Sequence, residues 1–158
     1  PYTTLFRSGV IFRKYGLTTG RTVLIAPYAK SAAGLPDSLW IRLAGRLMEA
    51  GYDVCTNVTG GNKEVDGTIA LSIPIEQVYD FVEMAGYFIG LRSGLCDLLS
   101  GAKARKVILY FLSDKWGTDY TYDFFGLENM GIADGKTREV VIDSKETDFS
   151  GVIEEIIR

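Results

Sequence analysis

The stretch TVLIAPYAKSAAGLPDSLWIRLAGRLMEAGYDVCTNV, Thr22 to Val58, decides the fold. Its first part, TVLIAPY (Thr22–Tyr28), is apolar and β-branched without polar alternation, the pattern of a strand buried on both faces. Pro36 then stands before a helix that Asp37 or Ser38 can cap. Leu39, Ile41–Leu43 and Leu47–Met48 follow helical spacing, and Gly51 closes the helix. YDVCTNV (Tyr52–Val58) reads as a second strand. A strand, a helix of about four turns and another strand make a βαβ unit, whose two strands lie parallel.

Downstream the pattern continues. IEQVYDFVEMA (Ile75–Ala85) puts Ile75, Val78, Tyr79, Val82 and Met84–Ala85 on one helical face, and GYFIGL (Gly86–Leu91) is a short apolar strand. SGLCDLLSGAKA (Ser93–Ala104) reads as a helix of about three turns and KVILYFL (Lys106–Leu112) as a buried strand. REVVIDS (Arg138–Ser144) is the last strand and FSGVIEEIIR (Phe149–Arg158) the closing helix. The class is therefore α/β, a Rossmann-like parallel sheet with helices on both faces, spanning residues 22–158. No repeat or low-complexity segment interrupts it.

Upstream, GVIFRKYGLTTGR (Gly9–Arg21) reads as a connector with glycine at both ends. PYTTLFRS (Pro1–Ser8) has no apolar period of its own and resembles the translation of a common sequencing adapter. On that reading it is excluded from the fold. Gly9 is then where a read began, and the chain is expected to be the C-terminal remainder of a longer protein.

With 158 residues the chain suits one domain with a sizeable core. It carries 17 Lys and Arg against 20 Asp and Glu, a net charge of −3, which argues against a nucleic-acid binder. No apolar run reaches the roughly 18 residues of a membrane span. Cys55 and Cys96 form no disulfide framework or metal spacing and fit a reducing, cytoplasmic setting. The sequence contains no histidine. Ser-His-Asp and Cys-His schemes and His-based metal sites are therefore excluded within this chain.

In an open parallel sheet, ligands bind beyond the C-terminal ends of the strands. Three loops leave such ends: Tyr28–Pro36, Thr59–Glu64, and Arg92–Gly94, which passes directly into a helix. The third leaves helix-start amides unpaired, a setting that attracts phosphate. Gly94 lets a ligand reach the backbone, Ser93 offers a hydroxyl and Arg92 a charged fork. Equally, Ser93 can simply cap the helix and Arg92 be a solvated charge. Lys30 and Ser31 can meet the same anion or remain solvated. The Thr59–Gly61 loop lacks the G-x-G-x-x-G spacing, and a plain turn is the simpler reading of Gly60 and Gly61. Cys96 reads as a packed small residue. Asp97 reads either as a base or as a first-turn carboxylate that favours the helix dipole. Trp116, Tyr120, Tyr122, Phe124 and Phe125 either stack on a base or sugar, or cover the sheet edge.

Across Thr22 to Phe111 the order of these segments resembles the C-terminal, donor-binding half of a GT-B glycosyltransferase of the heptosyltransferase-like family (glycosyltransferase family 9). The resemblance rests on VLIAPYAKS, on LPDSLWIRLAGRLMEAGYDV, on a Gly-Gly loop followed by Glu64, and on IPIEQVYDFVEMAGYFIGLRSGLCDLLSGAKARKVILYF. The family typically has Asp-Ser-Gly and then His where this chain has Arg92-Ser93-Gly94 and Asp97, so donor specificity does not carry over. A weaker similarity is to fucosyltransferase-like GT-B proteins. The resemblance implies transfer of a sugar from a nucleoside-diphosphate donor to a glycan or glycolipid acceptor, in surface polysaccharide synthesis, with no cofactor and no bound metal. It implies donor contacts from Lys30, Ser31, Gly60, Gly61, Arg92, Ser93, Gly94 and Leu95, with Asp97 and Glu64 as second-rank candidates. The acceptor and the catalytic base would belong to an N-terminal half upstream of Gly9. The full-length protein would be cytoplasmic, or peripheral at the inner membrane face, and this chain inactive alone. The competing class is a non-catalytic flavodoxin-like or other nucleotide-binding α/β module. A receiver domain would need an acidic cluster at a strand end, and a nicotinamide domain the glycine fingerprint; neither is present.

Overall fold

The computed structural model describes residues 2–30, 34–112, 122, 125–143 and 145–158, with side chains from Arg7 onward. In chain order the elements are α1 (Tyr2–Tyr15), β1 (Thr22–Ala26), α2 (Asp37–Glu49), β2 (Asp53–Asn57), β3 (Ile69–Leu71), α3 (Ile75–Ala85), β4 (Gly86–Leu91), α4 (Gly94–Leu99), β5 (Arg105–Leu112), β6 (Thr137–Asp143) and α5 (Ser150–Ile157). The strands form one six-stranded sheet in the order β3-β2-β1-β4-β5-β6, and every neighbouring pair is parallel. This is the Rossmann-like α/β fold that the sequence predicts, with β1 and β4 adjacent at the point where the strand order reverses.

Period-two alternation sends each strand's side chains to two cores. Val23, Ile25, Ile89, Leu91, Val107 and Leu109 face one side, where Leu39, Leu43 and Leu47 of α2 and Ile153 and Ile156 of α5 cover them. Leu24, Phe88, Ile108 and Tyr110 face the other, under Phe12 of α1, Val78 and Phe81 of α3, and Leu99 of α4. Because both faces are covered, β1 is buried at all five positions, which is why it reads as an uninterrupted apolar run.

Four expectations are corrected. Gly9–Tyr15 is helix rather than connector, the second part of α1, whose backbone starts at Tyr2. Phe12 anchors it, its ring centroid 5.2 Å from that of Phe81. β3 is an additional edge strand, too short at three residues to show a period. α2 starts at Asp37 after Pro36, and no side chain caps it. α4 stops at Leu99 rather than Ala104: Ser100 turns its hydroxyl onto the Asp97 carbonyl (2.8 Å), and the chain then turns, with the Ala102 amide donating to Leu99 O (3.0 Å).

One junction fixes the site's position. α3 ends at Ala85 and β4 begins at Gly86, with no loop between them. Gly86 makes this possible by adopting φ 94°, which side-chain-bearing residues avoid, while its Cα faces the backbone of Gly20 so closely that a Cβ would lie 3.0 Å from Gly20 Cα.

Candidate functional site

A cleft of about 740 Å³ opens at the C-terminal ends of β1, β2 and β4. Its floor includes Ala26, which pairs with Gly90 in the β1–β4 register. Three stretches meet over that floor: the chain after β1 with Lys30, the turn after β2 with Gly60, and the β4–α4 turn with Ser93, Gly94 and Leu95. Ile75 and Val78 of α3 supply an apolar wall, and Ile75 is 64% exposed there.

The β4–α4 turn behaves as an acceptor-seeking surface. Ser93 is the N-cap residue in extended conformation (φ −160°, ψ 173°), but its hydroxyl caps nothing. Among the described residues its Oγ has one hydrogen-bond partner, the Cys96 Sγ at 3.9 Å, and the residue lines the cleft. The amides of Gly94 and Leu95, in the first turn, have no intrahelical acceptor. Space beyond the Gly94 Cα is open, with nothing within 4 Å of where a Cβ would stand. Lys30 is exposed and has no carboxylate partner among the described residues. Ser31, expected beside it, lies outside the described residues.

The turn after β2 contributes polar side chains to which the sequence reading of this loop gives no role. Thr59 donates its hydroxyl to Asn57 Oδ1 (2.7 Å), and Asn62 donates Nδ2 to the Thr59 carbonyl (3.0 Å). Gly60 and Gly61 both take left-handed φ, 84° and 80°, so this turn needs two glycines in succession. Of the two, Gly60 lines the cleft. Tyr28 stands on the rim and donates its hydroxyl to the Lys63 carbonyl (2.5 Å); burial, then the charges of Asp37 and Glu64, push its phenol pKa up. Glu64 is thus beside the rim tyrosine rather than on the cleft lining.

Arg92 does not join the other candidates on this cleft. It is 8% exposed and its guanidinium donates to Phe125 O (Nε, 2.7 Å), Ser93 O (Nη1, 2.6 Å) and Asp97 Oδ1 (Nη2, 2.8 Å). Arg92 and Asp97 therefore form an ion pair that fastens α4 to the 125–131 segment. Neither the solvated charge nor the free phosphate fork matches this arrangement. Cys96 is buried, its thiol on the Leu91 carbonyl (3.4 Å), and burial raises its pKa despite the hydrogen bonds from Ser93. Tyr122 packs edge-on to Tyr110 (5.1 Å) against the core, as the edge-covering reading expects. Trp116, Tyr120 and Phe124 lie outside the described residues. Among the described residues no group of three or more Cys, Asp or Glu is placed to hold a metal ion, and no helix is long and apolar enough to cross a membrane.

The strand order and the cleft at its switch point define the class of Rossmann-like α/β domains that bind ligands beyond the strand ends. Among solved structures, the chain is similar to the E. coli ADP-heptose LPS heptosyltransferase II, with a TM-score of 0.69 and 16% identity, covering 95% of this chain and 50% of that one. It is similar to the E. coli heptosyltransferase WaaC with ADP at TM-score 0.60 and 14% identity, over 91% of this chain and 46% of that one. A glycosyl transferase family 9 protein from Veillonella parvula matches at TM-score 0.61 and 11% identity, over 99% and 44%. At these identities the likeness is one of fold, and the chain spans about half the length of each of these proteins. No protein-family model and no curated protein matches the sequence.

Proposed function

We infer that this chain is the donor-binding half of a glycosyltransferase, which holds a nucleoside-diphosphate sugar while a second half presents a glycan or glycolipid acceptor. The observation that carries this reading is the switch-point cleft, where Lys30, the Ser93 hydroxyl, which caps no helix amide, and the open amides of Gly94 and Leu95 converge. Support comes from the fold shared with half of several glycosyltransferases, of which the E. coli heptosyltransferase WaaC is solved both with ADP and with ADP-2-deoxy-2-fluoro heptose.

In the proposed reaction an acceptor hydroxyl attacks the anomeric carbon as the bond from that carbon to the diphosphate oxygen breaks. The electron pair leaves with the diphosphate, and the acceptor proton passes to a base outside this chain. Lys30 and the turn amides stabilise the charge developing on the leaving group, without a metal ion or cofactor. Arg92 and Asp97 act as positioning residues that set the α4 turn. Ile75, Val78 and Tyr28 offer apolar and aromatic surface for the nucleoside.

The test is calorimetric titration of the chain with ADP, UDP and GDP, beside the Gly94→Asp variant. The space at Gly94 admits the new side chain, while its charge repels a diphosphate. Saturable binding of one nucleotide, weakened at least about tenfold in the variant at unchanged Tm, is the expected result. Flat titrations with all three, or binding indifferent to Gly94→Asp, would overturn the reading. Sugar transfer by the isolated chain would remove the need for a second half.

A further inference from the structure

The opposite end of the sheet carries a second cleft, about 400 Å³ in volume, whose charge differs from that of the molecule as a whole. Its charged lining is entirely basic: Arg21, Arg46, Arg105, Lys136 and Arg138, together with Lys106, whose ammonium group is turned away into the other core. No Asp or Glu is among its described lining residues, although the chain has a net charge of −3.

The strand period explains how these groups meet. The series Val23–Ile25, Val54, Ile89–Leu91, Val107–Leu109 and Val140–Ile142 lines the core beneath α2 and α5. Two residues earlier on the same face stand Arg21, Tyr52, Tyr87, Arg105 and Arg138. The parallel register sets Tyr87 beside both Val23 and Arg105, and Arg138 beside Val107. The apolar core therefore ends in one continuous basic and aromatic row at the N-terminal rim of the sheet. Tyr52 and Tyr87 meet edge to face at 5.0 Å, with Arg21 over the first ring (4.4 Å) and Arg105 over the second (5.6 Å).

Part of this row serves the helices. Arg21 donates Nη2 to Ala50 O (2.8 Å) at the end of α2, and Arg138 donates to Glu155 O (2.7 Å) and Ile156 O (2.6 Å) at the end of α5. Carbonyl acceptors orient these guanidinium groups without neutralising them. Arg46 is paired with Glu154. Helix capping does not account for Arg105 or Lys136: both are exposed, and neither has a carboxylate within 4.0 Å among the described residues. The crowding of like charges also leaves a mark. Burial and the neighbouring charges of Arg105 and Arg158 lower the Arg138 pKa, and the hydrogen bond from Tyr52, with help from Arg105, lowers that of Tyr87.

We propose that this basic, aromatic-lined cleft at the N-terminal rim of the sheet is a binding site for a phosphate-bearing ligand, separate from the switch-point cleft. Arg105 and Lys136 supply the free charges, Arg21 and Arg138 a pre-oriented base, and the Tyr52–Tyr87 pair an aromatic wall. The phosphate can belong to a soluble compound or to a lipid headgroup. The site does not depend on the glycosyltransferase reading.

Two arms test it on the full chain. In the first, inorganic diphosphate is titrated while backbone amide NMR shifts are followed; in the second, the chain is sedimented with phosphatidylcholine vesicles with or without phosphatidylglycerol. Each is repeated with R105E/K136E, which touches no helix cap, and with K103E/K145E, which changes net charge equally elsewhere. A soluble ligand predicts saturable shifts at Tyr87, Arg105 and Lys136, at least about tenfold weaker in R105E/K136E and retained in K103E/K145E. A lipid headgroup predicts co-sedimentation only with phosphatidylglycerol and the same dependence on the variants. Binding in neither arm, shifts confined to Ser93–Leu95, or equal losses in both double variants would overturn the proposal.

Discussion

Replacing Arg92 by alanine separates two roles that the residue type alone allows. The side chain is 8% exposed and its guanidinium satisfies three oxygen acceptors at 2.6–2.8 Å. Alanine leaves the Phe125 and Ser93 carbonyls and the Asp97 carboxylate without that partner. Hydrogen bonds to a charged group contribute about 1.5–3 kcal/mol each, but losses within one network do not add. The Asp97 side chain is 43% exposed and regains water, which discounts the ion pair. A net loss of about 3 kcal/mol follows, in the lower part of the range for breaking a buried pair. In a domain of this size that lowers Tm by about 6–12 °C, measurable by circular dichroism or urea unfolding. Arg92→Lys should recover only part of it, because an ammonium group cannot reach three acceptors in a plane. An Arg92→Ala protein with unchanged Tm but nucleotide affinity reduced more than about tenfold would refute the fastening role and return Arg92 to the ligand.

Further outcomes follow from single positions. Gly86→Ala should destabilise the fold by about 1–3 kcal/mol in urea titrations, since φ 94° strains any Cβ and Gly20 Cα would sit 3.0 Å from it. Cys55, its thiol pKa pushed up to about 12 by burial and by Asp53, and Cys96, raised by burial, should resist iodoacetamide at pH 8 in the native state and react on unfolding. Burial opposes ionisation of Asp134, but hydrogen bonds from Lys106, Thr137 and the Lys136 amide win and hold its pKa below the ordinary carboxylate value. Its contribution to stability is therefore present above the unfolded-state pKa and lost as pH falls through the folded one. Acid titration of Asp134→Asn should show a correspondingly smaller loss below about pH 4.

The sheet was legible where the chain carries its own punctuation. Ile75–Ala85 and Gly86–Leu91 match α3 and β4 residue for residue, because the apolar period changes from helical to continuous at a glycine. Helix α1 escaped detection for a local reason. Ser8, Ile11 and Phe12 have helical spacing, but dividing the chain after Ser8 splits the period before it becomes visible. The Ser93–Gly94–Leu95 turn could be read because a strand passing directly into a helix must expose amides. The direction of Arg92 could not, because its acceptor at Phe125 lies 33 positions away. Asn57, Thr59 and Asn62 belong to no fixed motif, and only the folded turn brings them to the cleft.

The absence of a loop between α3 and β4 has a mechanical side. Ile75, at one end of this continuous piece, forms a wall of the switch-point cleft, and the strand at its other end delivers Ser93. The two behave as arms of one bracket whose corner, Gly86, is braced against Gly20. A ligand cannot draw those arms together without breaking the brace. Any change in the spacing between Ile75 and the Ser93–Gly94–Leu95 turn must therefore bend the chain at Gly86, against the backbone of Gly20.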